Sequence, residues 1–81
     1  MRIPRNVTGQ ELLKLLRKNF GYEQSRQVGS HIRTTTQESG EHHVSVPNHN
    51  PIKVGTLNGI ISDVAEHFQI SKEEVFAALF E

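Results

Sequence analysis

The sequence predicts a small α+β domain of order α-β-β-β-α-α, a three-stranded antiparallel sheet with all its helices on one face. Three observations carry this. Thr8-Gly9-Gln10-Glu11 and Ser71-Lys72-Glu73-Glu74 each have the spacing of a capping box ahead of an apolar run of helical period. Between them, His31 to Gln37 is rich in β-branched residues and His42 to Val46 alternates, as strands do. Gly21, Gly29, Gly40 and Pro47 stand where one pattern gives way to the next.

Each element has its own warrant. In the first helix Thr8 is the N-cap and Glu11 reaches back to it, while Leu12, Leu13, Leu15 and Leu16 form the apolar stripe. Val7 is placed to staple the helix start onto that stripe, and Gly21 suits the left-handed cap that ends it. Tyr22 to Val28 reads as the first strand, broken at Gly29; Pro47 stops the third. Asn48 to Lys53 reads as a loop. A helix opening at Gly55-Thr56 buries Leu57, Ile60, Ile61, Val64, Ala65 and Phe68, and the last helix carries Val75, Phe76, Leu79 and Phe80.

The pairing of the second and third strands follows from the turn between them. A two-residue loop at Ser39-Gly40 would put Ile32 on the opposite face from Val44 and Val46, wasting the apolar positions. A loop Glu38-Ser39-Gly40 with Gly40 left-handed sets Ile32 against Val46 and Thr34 against Val44 on one buried face. His31, Arg33, Thr35, His43 and Ser45 then share the outer face, with His31 opposite Pro47.

Composition narrows the function. Eighty-one residues, 35% hydrophobic and 22% charged, make one domain over 1–81 with a modest core and no deep cavern, so a catalytic site would lie on the surface and act on a polymer. The chain has no cysteine, which removes disulfides, thiol nucleophiles and cysteine zinc sites and fits the cytoplasm. No apolar run approaches the ~20 residues that cross a bilayer, and the N-terminus lacks the apolar stretch of a signal peptide. Net charge is zero but uneven: residues 1–53 carry eight Lys/Arg against four Glu, residues 54–81 one Lys against five acids. A basic front section suits a polyanion.

The residues that offer chemistry are histidines. Ser30 beside His31 is not a nucleophile–base pair, because neighbouring side chains on a strand point to opposite faces. His42 and His43 diverge for the same reason, and His43 stands roughly 13 Å along the sheet from His31. The spacing therefore offers no closed metal set. His31 and His49 share parity, and His49 lies two positions beyond the partner of His31, a diagonal that spans ~7–8 Å in a regular sheet. Imidazoles near a pKa of ~6.5 exchange protons at neutral pH. RNA brings its own nucleophile, the 2′-OH. One or two histidines, with Arg26, Arg33 or Lys53 on the phosphate, would suffice without metal or cofactor. On residue types alone, two polar residues on a solvated sheet face remain the alternative.

Four segments resemble one family. Gly9-Gln10-Glu11-Leu12-Leu13-Lys14-Leu15-Leu16, Gln27-Val28-Gly29-Ser30-His31-Ile32, Val44-Ser45-Val46-Pro47-Asn48-His49 and Gly55-Thr56-Leu57 resemble, in order and spacing, the HicA (YcfA-like) mRNA interferase toxins. The likeness runs from about Val7 to Phe80. It implies a double-stranded-RNA-binding-domain-like fold, endoribonuclease activity on mRNA, and neutralisation by a HicB-like antitoxin. The histidine of the family's Gly-Ser-His motif is catalytic, which maps to His31. The expected RNA contacts are Arg26, Ser30, Arg33 and Lys53, with His49 assisting and no metal. A homodimer is left open. The chain departs from the family in its neutral charge and in the loop Asn48–Ile52, where relatives often carry more lysine. A non-catalytic RNA-binding module and a protein-interaction domain are the competing classes.

Overall fold

The computed structural model describes residues 2–81. Six elements follow the expected order: α1 (Gly9–Phe20), β1 (Glu23–Val28), β2 (His31–Thr36), β3 (His42–Pro47), α2 (Val54–Phe68) and α3 (Lys72–Phe80). Both capping boxes form. The Thr8 hydroxyl accepts from Glu11 N–H and the Glu11 carboxylate accepts from Thr8 N–H, each at 3.1 Å; Ser71 and Glu74 do the same for α3. Each box supplies acceptors for N–H groups that an open helix end leaves unpaired. Gly21 closes α1 at φ 72°, a conformation that a Cβ would strain.

The sheet runs β1-β2-β3, antiparallel throughout. β2 and β3 pair in the register that the apolar positions demand, with His31 against Pro47, Ile32 against Val46 and Thr34 against Val44. Ladder pairing stops at Thr36 and His42. Beyond them Gly40 N–H bonds to the Gln37 carbonyl at 3.2 Å, and Ser39 as well as Gly40 takes a positive φ. The turn is therefore looser than a three-residue loop, while the register it delivers is unchanged.

The inner face of the sheet meets the helices. Leu12, Leu16 and Phe20 from α1, Val44 and Val46 from β3, Leu57, Ile60, Ile61, Val64 and Ala65 from α2, and Val75 and Leu79 from α3 form one cluster, closed by Val7, Tyr22 and Ile52. Leu13, Leu15, Phe68, Phe76 and Phe80 pack half-buried around it. Removing a fully buried Leu or Ile side chain from water stabilises by roughly 1.5–3 kcal/mol, so Leu12 and Leu16 of α1 and Leu57 and Ile61 of α2, all wholly inaccessible, are principal anchors of the core. Thr34 and Thr36 also face inward, and each finds a backbone acceptor: Thr34 donates to Val44 at 3.0 Å and Thr36 to Phe20 at 2.8 Å. Burial of a hydroxyl without such a bond would be costly.

β1 differs from its neighbours. All six of its residues are exposed. It starts at Glu23 rather than Tyr22, because Tyr22 turns into the core. The register with β2 shifts between Gln24 and Arg26, leaving Ser25 as the extra residue, and its hydroxyl donates to the Arg33 carbonyl at 3.1 Å. A bulge of this kind bends and twists an edge strand. No described helix is long and apolar enough to cross a membrane.

Candidate active site

His31 sits at the tip of a two-residue hairpin. Val28 pairs with His31, and Gly29 between them takes φ 59°, which favours glycine in so tight a connection. Ser30 is exposed; its carbonyl accepts from Asn48 N–H at 2.6 Å, so the tip is tied to the end of β3.

β3 ends at Pro47, before His49 is reached. The strand diagonal expected between His31 and His49 is therefore not formed. The chain leaves the sheet and is held by α1 instead. Gly9 N–H donates to the His49 carbonyl at 2.9 Å, Gln10 donates through its side chain to Asn48 Oδ1 at 3.3 Å, and Ile52 N–H donates to the Val7 carbonyl at 2.8 Å. Gly9 has to be glycine here: a Cβ would overlap the Pro47 carbonyl oxygen and come within 3.0 Å of Asn48 Cα. Hairpin tip, loop 48–53 and N-terminal segment thus lie side by side. Asn50-Pro51 in this loop is cis.

The five histidines divide into two sets. His42 faces the helices: its Nδ1 is 2.8 Å from the Tyr22 hydroxyl, its Nε2 is 3.3 Å from Asp63 Oδ1, and its ring stacks on His67 at 4.3 Å. His67 bonds to the Glu38 carbonyl at 2.9 Å. Burial, with help from Asp63 and then Glu38, holds the Tyr22 phenol well above its usual pKa. His43 lies on the outer face, as expected, and pairs with the Thr35 hydroxyl at 2.8 Å. His31 and His49 are exposed and make no side-chain hydrogen bond among the described residues. No described group of three or more His, Asp or Glu converges on a metal position.

Arg26 and Arg33 are direct cross-strand partners, on the same outer face as His31. Lys53 caps the start of α2 through its backbone alone. Among the described residues, none of Arg26, Arg33 or Lys53 lies within 4.0 Å of a carboxylate, whereas Arg17 is taken by Glu23 at 3.3 Å. The outer face is open. A groove of about 240 Å³ lies between α1 and β1, lined by Leu13, Lys14, Arg17 and Gln24, and His31 is not part of it. An exposed imidazole beside free guanidinium groups on an unwalled face suits a long polyanion better than an enclosed metabolite.

Two features of this end were not read from the sequence. The contact of Gly9 with Pro47 and Asn48 has no local signature, since Gly9 looks like an ordinary first-turn residue. Arg2 and Arg5, which the sequence offers only as charge, line a groove with Val54 just beyond loop 48–53.

The described residues thus form a small α+β domain with a bare histidine and unpaired cations on its open face. Comparison with known families makes this particular. The model of the HicA toxin of bacterial toxin–antitoxin systems matches residues 9–65, and the chain belongs to that family. The matched span runs from the first residue of α1 into α2 and so includes the hairpin tip, His31, His49 and Lys53. The comparisons with curated proteins and with solved structures returned no match.

Proposed function

We propose that this toxin is a metal-independent endoribonuclease acting on mRNA, with His31 as a general acid or base and His49 as the candidate for the second proton transfer. One imidazole takes the proton from a ribose 2′-OH. The 2′ oxygen attacks the adjacent phosphorus, the bond from phosphorus to the 5′ oxygen breaks, and the departing oxygen receives a proton from the second group. The products are a 2′,3′-cyclic phosphate and a 5′-hydroxyl. Arg26 and Arg33 on the outer face, Ser30 at the hairpin tip and Lys53 contact the phosphate backbone and stabilise the charge that builds on it.

The observation that carries this reading is the division of the histidines. Three are bound into hydrogen bonds, while His31 and His49 keep free rings at the end where loop 48–53 is clamped against the hairpin tip. Membership of a toxin–antitoxin family implies an antitoxin partner. We assign that partner to a HicB-like protein that covers His31 in the cytoplasm, where the mRNA is. The mechanism needs no second copy of the chain.

The test is an oligoribonucleotide incubated with the purified protein in EDTA. Cleavage to cyclic-phosphate ends is expected, and a single 2′-deoxy substitution at the cut position abolishes it. Binding without cleavage would favour a non-catalytic RNA-binding module instead. Cleavage of the deoxy substrate, or a requirement for a divalent cation, would contradict the mechanism.

A further inference from the structure

The N-terminal segment brings two more cations to the site's end of the molecule. Arg2, Ile3, Pro4 and Arg5, together with Val54, line an open groove of about 660 Å³. The segment is not loose: Ile3 packs against the core and Val7, just beyond it, holds Ile52 N–H at 2.8 Å. Arg2 and Arg5 are exposed, and neither lies within 4.0 Å of a carboxylate among the described residues. Lys53 precedes Val54 in the chain.

The backbone bonds set the path from here to His31. Ser30 is bonded to Asn48, His49 to Gly9, and Ile52 to Val7, so three segments lie next to one another. Loop 48–53 therefore lies between the hairpin tip and the N-terminal segment, and one RNA strand laid over the loop meets both.

Resting on the ribonuclease reading, we propose that Arg2 and Arg5 form a second phosphate-binding site, next along the chain's surface from Lys53 of the first. It holds single-stranded RNA outside the step of cleavage, on a track that runs from the hairpin tip across loop 48–53 to the N-terminal segment. Guanidinium groups without a protein partner exchange only water and counterions for phosphate. Their contribution is therefore electrostatic and falls with salt.

The experiment uses the full chain carrying His31→Ala, so that RNA is bound and not cut. Affinity for a fluorescent oligoribonucleotide is measured between about 50 and about 200 mM salt, with and without Arg2→Ala/Arg5→Ala. Each single-strand phosphate contact contributes a slope of ~0.7, so the double variant should lose ~1.4 from the slope, about a sevenfold smaller drop in affinity across that range. Lys18→Ala, at the opposite end of α1, should leave the slope unchanged. Binding with an unaltered slope in the arginine variant overturns this site alone. Absence of binding by the His31→Ala chain overturns it together with the ribonuclease reading. Unaltered RNA binding with weakened antitoxin binding would assign the segment to the protein partner and overturn it as well.

Discussion

Gly9→Ala should destabilise the protein although alanine is the better helix former. The added Cβ would overlap the Pro47 carbonyl oxygen, and would stand 3.0 Å from Asn48 Cα and 3.2 Å from the Pro47 carbonyl carbon. All three are backbone atoms, so no rotamer change relieves the contact. Either the first turn of α1 or the chain at 47–49 must move, and movement stretches the 2.9 Å bond from Gly9 to His49. Overpacking of this kind costs ~1–3 kcal/mol. The gain in helix propensity is at most ~1 kcal/mol and is smaller at a first helical position, so the net loss is ~1–2 kcal/mol. In a domain of this size that lowers Tm by roughly 5–15 °C. Gly59→Ala is the matched control. Gly59 is exposed within α2 with nothing within 4 Å of an added Cβ, so alanine there should stabilise by ~0.5–1 kcal/mol. Thermal melts of the two variants should shift in opposite directions. An unshifted or raised Tm for Gly9→Ala would refute the clamp between α1 and the 47–49 segment.

Other perturbations probe separate parts of the structure. Thr36→Val removes the hydroxyl that donates to Phe20 at 2.8 Å and accepts from Glu38 N–H at 3.1 Å; ~1–3 kcal/mol should be lost in urea unfolding, with an unchanged m-value. Tyr22, the single tyrosine, has a folded-state pKa raised mainly by burial. The unfolded chain therefore releases this proton first, and the associated stability is present below pH ~10 and declines as pH rises beyond it. Alkaline melts should show that decline, and Tyr22→Phe should remove the phenol's share of it. Arg33→Glu should weaken both RNA cleavage and antitoxin binding; reduced cleavage with full antitoxin affinity would mean that inhibition acts from elsewhere.

Much of this fold is legible because local and global signals agree. Thr8 with Glu11, and Ser71 with Glu74, mark helix starts by chemistry alone. The β2–β3 register follows from the need to bury Ile32, Val44 and Val46 together, whatever the turn does in detail. What escaped depends on contacts between distant segments. Nothing near Ser25 announces a bulge, because its hydroxyl answers to Arg33 on another strand. His49 shares the face of His31 only if β3 runs on past Pro47; the strand stops there, and α1 anchors the loop. From sequence His42 merely diverges from His43; its partners Tyr22, Asp63 and His67 come from two other segments, the approach to β1 and α2. From sequence the role proposed for His31 rests on the Gly-Ser-His resemblance; that its ring stays free while His42, His43 and His67 are hydrogen-bonded is visible only in the fold.

The central claim is that His31 moves a proton during RNA cleavage. Its side chain is exposed and forms no hydrogen bond among the described residues, so His31→Ala should change stability by less than ~0.5 kcal/mol. General acid–base catalysis by one group is worth ~10²–10⁴-fold, or ~3–5 kcal/mol of barrier. The decisive measurement is the single-turnover cleavage rate of an oligoribonucleotide in EDTA, for wild type and His31→Ala at matched occupancy. The account predicts a fall of at least ~10²-fold with an unchanged melting curve. A His31→Ala protein that cuts at the wild-type rate would contradict it.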